Sequence, residues 1–282
     1  MTHIRQAIVL VTGGASGIGK LMAEGCLQRG ASHLIIWDNN SKALQEVTQA
    51  LQQAGYRATG MAVDVSDTAE VEAAAQEVIG QSGVPHILFN NAGVVVGKRF
   101  EEHSYEEIRR TLNVNTLGVM AVAKAFLPGM IARGSGHIVN ISSAAGLLPN
   151  PRMSVYAASK WAVLGWSESL RLELEDLHKD LHVTTVTPSY IDTGMFAGVT
   201  APFLTPILKP EKIVKSILDA VEKNGIILRS PSIVHLLPLL RGLLPTRLFD
   251  KIVGRGFNVY TSMDHFAGRP APEAVPGNPH TS

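Results

Sequence analysis

Seven short runs of apolar and β-branched residues recur along the chain with longer helical stretches between them: Ala7 to Val11, Leu34 to Trp37, Ala58 to Val63, His86 to Phe89, His137 to Ile141, His182 to Val186 and Ile226 to Leu228. Several are apolar nearly throughout instead of alternating, which is the pattern of parallel strands covered on both faces. Parallel neighbours need long crossovers, and the intervening stretches carry helix-start signals. Ser104-x-x-Glu107 reads as a capping box ahead of a helix through Leu127, and Lys209-Pro210-Glu211 opens another. The expected fold class is therefore α/β: a doubly wound, mostly parallel seven-stranded sheet with helices on both faces.

No internal repeat or linker interrupts this alternation, so residues 1 to 267 read as one domain. From Gly268 to Ser282 the chain is rich in Pro, Gly and small polar residues and reads as a disordered tail. Lys and Arg total 25 against 24 Asp and Glu, a balance that leaves no electrostatic footprint for nucleic acid. A lone cysteine, Cys26, allows no internal disulfide and reads as a small buried hydrophobe. Met1 to Gln6 lead straight into the first strand, so no secretory signal is expected, and the expected location is cytoplasmic. The stretch Ser230 to Leu240 is apolar but too short for a bilayer and broken by Pro231 and Pro238. No transmembrane segment is expected, and peripheral membrane contact is left open.

Between the first strand and the first helix stands Thr12-Gly13-Gly14-Ala15-Ser16-Gly17-Ile18-Gly19. Glycines at that turn let backbone amides and a helix N-terminus meet a pyrophosphate, although a glycine turn alone is more often only a tight turn. Asp38 adds to the signal, because it ends the second strand 38 − 19 = 19 residues beyond the last glycine, where a carboxylate can accept hydrogen bonds from an adenosine ribose. Such a carboxylate repels a 2′-phosphate, and neither Ser16, Asn39 nor Asn40 offers a cation to hold one, which favours NAD over NADP. The competing use of Asp38 is a helix cap.

Tyr156 and Lys160 are spaced i and i+4, so on a helix they share one face. A cation beside a phenol favours phenolate and suits proton transfer at an alcohol oxygen. Tyr-x-x-x-Lys by itself is common on solvated helices. His178 and His182 are also four apart, but no acidic or cysteine set completes a metal site, and no metal is expected.

Taken together in their order, the glycine motif, Asn90-Asn91-Ala92-Gly93, Ser143 and Tyr156 to Lys160 resemble the short-chain dehydrogenase/reductase family, over about Ala7 to Leu228. The resemblance implies a Rossmann-type fold, Tyr156 as general acid/base, Lys160 on the nicotinamide ribose, Ser143 orienting the reacting oxygen and Asn115 supporting a water relay. For the cofactor it implies Gly13, Ser16, Gly17, Ile18 and Gly19 at the pyrophosphate, Asp64 and Val65 beside adenine, Asn91 and Gly93 along the dinucleotide, and Pro188, Ile191 and Thr193 near the nicotinamide. The family commonly has glycine where this chain has Ser189. It also commonly forms dimers or tetramers, so a homo-oligomer is expected.

Gly194 to Leu208 carries no charge, in the region the family uses as a substrate lid. Met195, Phe196 and Phe203, with Leu204, Ile207 and Leu208, read as an apolar wall for a sterol, retinoid or long-chain alcohol or its carbonyl; simple core packing is the other use of such residues. Thr193-Gly-Met-Phe196 and the stretch from Leu244 to Phe266 resemble the retinol and 17β-hydroxysteroid dehydrogenase branch. Ile233 to Leu244 is expected to pack over the pocket or to touch lipid or a subunit. A non-catalytic NAD(H)-sensing protein and a polyol or acyl-thioester reductase are the alternatives.

Overall fold

Strands apolar on both faces can be buried only between two helical layers, and the computed structural model, which describes residues 1 to 268, has that arrangement. The strands are β1 (Ile8–Thr12), β2 (His33–Asp38), β3 (Ala58–Ala62), β4 (Ile87–Asn90), β5 (Ser135–Ile141), β6 (Asp180–Pro188) and β7 (Ile227–Ser230). They form one parallel sheet in the order β3-β2-β1-β4-β5-β6-β7. All seven expected strands are present, with boundaries moved by one or two residues. The proposed tail, Gly268 apart, lies outside the described residues.

The helices are α1 (Gly17–Gln28), α2 (Ser41–Gln53), α3 (Thr68–Ser82), α4 (Tyr105–Leu112), α5 (Val119–Arg133), α6 (Ser154–Glu175), α7 (Pro210–Glu222), α8 (Leu237–Leu243) and α9 (Thr246–Phe249). Their starts are chemically marked. Asn40 accepts from the Ala43 amide, Asp67 from those of Ala69 and Glu70, and Ser104 and Glu107 form the expected reciprocal box. Period-two alternation then sorts the core: Val9, Val11, Leu34 and Ile36 pack on one face of the sheet, Leu10, Ile35 and Trp37 on the other. Cys26 is fully buried on the first of these faces, and burial pushes its thiol up to about 12, which leaves it inert.

A π-helical turn, Asn113–Gly118, joins α4 to α5. The continuous run Tyr105–Arg133 is long and apolar enough by composition to cross a membrane, and half of its most apolar window is buried inside the fold. It is longer than the apolar stretch Ser230 to Leu240 weighed from the sequence. In this structure it is a core helix, with Val122, Ala123, Phe126 and Met130 packed against the sheet.

Near the start of β5, at the strand ends opposite the glycine turn, His137 is fully buried, with Nδ1 2.8 Å from Thr2 Oγ1 and Nε2 2.7 Å from Thr184 Oγ1. Burial, aided by His182 and opposed by Asp180, pushes its pKa down to about 3. The folded-state value lies below the ordinary 6.5, so acid protonates the unfolded chain first and stability falls as pH drops from about 6.5 toward 3. Melting temperature should therefore fall between pH 6.5 and pH 4, and by less in a His137→Gln variant; identical pH profiles for the two proteins would refute this account.

Candidate active site

The glycine turn is built by close approach. Gly13 (φ 63°) and Gly17 (φ 56°) take left-handed backbone, and a Cβ on Gly19 would strike the Gly13 carbonyl oxygen and Asn91 Nδ2. Asn91 clamps the turn by donating from Nδ2 to the carbonyls of Thr12 and Gly13, each at 3.0 Å. Ser16 is the N-cap of α1, and the first turn of that helix holds no acidic side chain, which leaves its positive end suited to an anion. Ile18 packs against the core.

Asp38 ends β2 and points back at this turn. Its Oδ2 accepts from the Ala15 amide and its Oδ1 from that of Asn40, each at 3.0 Å. It caps no helix, since Asn40 caps α2. Past the end of β3, Asp64 Oδ1 accepts from the Ser66 amide and hydroxyl, and Val65 is buried against Gly118. Gly93 lies where a Cβ would come 3.4 Å from Asn115 Oδ1 and 3.6 Å from Lys160 Nζ, so its bare backbone stands beside the asparagine and the lysine. This set of groups, with a helix N-terminus at one end, a carboxylate at the strand tip and buried polar groups at the other end, fits a dinucleotide.

Asn115 sits in the π turn. Its Oδ1 accepts from the Val94 amide at 2.8 Å and its Nδ2 donates to the Val94 carbonyl and to Ser159 Oγ. Its side chain is thus spent on fixing the strand exit against α6. π turns of this kind are frequent at functional sites.

Tyr156 and Lys160 lie on α6, both buried, with Lys160 Nζ 5.7 Å from the centre of the tyrosine ring. The ammonium donates to the Ile141 carbonyl at 2.9 Å. Burial pushes Lys160 down to about 8 and Tyr156 up to about 12, with the Ser143 hydroxyl pulling the tyrosine the other way. Desolvation outweighs a cation held by a main-chain carbonyl, so the phenol is a proton donor at rest. Ser143 is the N-cap of the turn Ala144–Gly146, accepting from the Ala145 amide and lying 3.5 Å from the Pro188 carbonyl.

A cavity opens beside Ser143. Its walls are apolar: Ala145, Leu148 and Met153 near the catalytic end, Phe196, Pro202 and Phe203 from the lid, and Ile233, Val234, Leu237 and Leu240 from the C-terminal stretch. Phe196 stands edge-on to both Tyr156 (6.1 Å, 81°) and Tyr190 (5.2 Å, 68°). Met195 is half-buried and outside the lining, and Leu204, Ile207 and Leu208 are not lining residues either. The reason is local: Leu204 takes positive φ (64°) and turns outward, while Leu208 bridges to Ile191 and packs on the main core. Thr193 is half-buried, its amide bonded to the Ile191 carbonyl. The left-handed backbone in this stretch falls at Gly194 (φ 77°), so Ser189 needs no glycine-like conformation.

Sequence reasoning missed the closure of the cavity. Thr200 and Phe203 of the lid donate backbone N–H bonds to Ser262 and Phe257, and Ala267 donates to Ala197. Met263 and Phe266 thereby pack in the same cluster as Tyr156 and Phe196. In the sequence both residues stand in the stretch from Leu244 to Phe266 that resembles the retinol and 17β-hydroxysteroid dehydrogenase branch, which does not say what they pack against.

Among the described residues no group of three or more His, Cys, Asp or Glu could hold a metal ion. His178 lies in a turn at positive φ and His182 on β6, so the pair shares no helix face.

Comparison with known proteins bears on the whole arrangement. The family model described as short chain dehydrogenase matches residues 7–202. Epidermal retinol dehydrogenase 2 of Mus musculus is 39% identical over 249 residues, 87% of this chain and 80% of that protein. Estradiol 17-beta-dehydrogenase 11 of Macaca fascicularis is 32% identical over 253 residues, 89% of this chain and 83% of its own length. Among solved structures, a short chain dehydrogenase/reductase from Burkholderia phymatum in complex with NAD superposes with a TM-score of 0.76 at 25% identity, covering 98% of this chain and all of that one. A metagenomic short-chain oxidoreductase in complex with NADP gives a TM-score of 0.68 at 28% identity, over 81% and 96% of the two chains. The glycine turn, the buried tyrosine and lysine and most of the sheet all fall inside the matched residues, and the chain belongs to the short-chain dehydrogenase family, as an oxidoreductase of alcohols and carbonyl compounds.

Proposed function

We propose that the protein is an NAD-dependent dehydrogenase of lipophilic alcohols of the steroid, retinoid or long-chain type. The observation that carries this is the apolar cavity ending at Ser143, next to buried Tyr156 and Lys160. An apolar room with few polar anchors suits a hydrocarbon skeleton, whereas a sugar alcohol would leave its hydroxyls unpaired there. The names of the retinol and estradiol dehydrogenase relatives support the same substrate class, and Asp38 at the end of β2 supports NAD.

The cofactor, when bound, supplies the hydride acceptor. Gly13 to Gly19 and the α1 N-terminus would hold its pyrophosphate, Asp38 its adenosine ribose, and Lys160 the nicotinamide ribose. Ser143 orients the substrate oxygen, and Tyr156 exchanges the hydroxyl proton with it. The lid and the C-terminal segment keep water from that proton transfer. Ile233 tests the cavity without touching this machinery. Ile233→Trp should cut kcat/KM for bulky apolar alcohols about tenfold or more while leaving NADH affinity unchanged; undiminished turnover would show that the substrate lies elsewhere.

The reading extends to a cytoplasmic homo-oligomer with peripheral membrane contact. Exposed Leu236, Leu239 and Leu243 beside Arg241 support the membrane contact, and pelleting with anionic vesicles checks it. Sedimentation checks the oligomer.

A further inference from the structure

The cavity has a short polar inventory, and all but one member is already engaged. The Asn150 amide, the Tyr190 hydroxyl and Ser262 Oγ form a closed trio, with Asn150 2.9 Å from Tyr190 and 3.2 Å from Ser262, and Tyr190 2.8 Å from Ser262. Thr205 donates to the Pro202 carbonyl. Ser143 accepts from the Ala145 amide and faces the Pro188 carbonyl. The exception is Ser189, which lines the same cavity with its Oγ buried and without a hydrogen-bond partner.

Ser189 is not loosely held. Its amide donates to the Ser230 carbonyl at 2.8 Å, which ties the exit of β6 to the end of β7. Native structures rarely leave a buried hydroxyl without a partner, and one that lines a ligand cavity is placed to receive its partner from the ligand. The position is informative because Ser143 and Ser189 flank one peptide group: Ser143 Oγ lies 3.5 Å from the Pro188 carbonyl oxygen, and Ser189 is the next residue along.

We propose that Ser189 is a specificity-determining residue that hydrogen-bonds a second oxygen of the substrate, on the carbon next to the reacting one. The favoured substrates are then lipophilic alcohols with a neighbouring hydroxyl or carbonyl group. This rests on the proposed function and narrows its substrate class. Ser143 and Tyr156 take the reacting oxygen, and Ser189 fixes which of two adjacent oxygens that is.

The test compares a monohydroxy steroid with the same skeleton bearing a hydroxyl on the adjacent carbon, using the unsubstituted enzyme, Ser189→Ala and Ser189→Gly. Both variants should lose about tenfold or more in kcat/KM on the diol and stay within about twofold on the mono-alcohol. Glycine controls for packing, since both changes remove the hydroxyl but leave different volumes. Equal losses on the two substrates, or no loss on either, overturns the role of Ser189 alone. Absence of turnover of both alcohols, and of retinoid and long-chain alcohols, by the unsubstituted enzyme removes the lipophilic-alcohol reading and the role of Ser189 with it.

Discussion

Tyr156→Phe should lower kcat/KM on any accepted alcohol by about 10² to 10⁴, the usual worth of a positioned general acid/base. The change removes one oxygen and keeps the ring. The ring is what packs with Ala145, Met153 and Met263 and meets Phe196 edge-on, so the fold should be untouched. The melting temperature and NADH affinity of the variant should therefore match those of the parent, with the loss confined to turnover. A variant that keeps its rate within about threefold would mean that another group carries the proton. The expected effect is large because the neighbouring groups are poor substitutes: Lys160 is bonded to a main-chain carbonyl, the Tyr190 hydroxyl is held by Asn150 and Ser262, and Ser143 is a far weaker acid than the phenol.

Asp38→Asn should erode the preference for NAD over NADP by about 10- to 100-fold, the range expected when hydrogen bonds to a charged group are lost and repulsion of a phosphate is relieved. Asparagine is the informative choice. The Asp38 carboxylate also accepts from the Ala15 amide, and an amide oxygen can keep that bond while the charge is gone, with only the local bond from the Asn40 amide given up. An Asp38→Ala change would loosen the glycine turn as well and confuse the two effects. Unchanged cofactor preference in Asp38→Asn would place the discrimination elsewhere.

The succession of strands along the chain and the place of the glycine turn were legible from local pattern. Leu34 to Trp37 is apolar throughout because β2 lies inside the sheet between β1 and β3, and Asp38 follows because the chain there leaves the core. What escaped was set by distant parts of the chain. β6 begins at Asp180, two residues before the apolar run, because Asp180 and Leu181 pair with Ser135 and Gly136. Leu204 and Ile207 look like pocket residues in sequence, but both side chains are exposed, Leu204 at a positive φ. The i, i+4 spacing put Lys160 near Tyr156 without revealing that burial would dominate both groups. The partnerless Ser189 hydroxyl has no sequence signature at all, since it becomes apparent only when every other polar group of the cavity is matched to its bond.

The central claim is NAD-linked oxidation of a lipophilic alcohol, and the initial rate of reduced-cofactor formation by the purified protein on steroid, retinoid, long-chain and sugar alcohols, with NAD and with NADP, tests it directly. The account predicts kcat/KM at least about a hundredfold higher for apolar than for sugar alcohols, with NAD preferred. Sugar alcohols used as well as apolar ones, NADP preferred over NAD, or no cofactor reduction with any alcohol would contradict it.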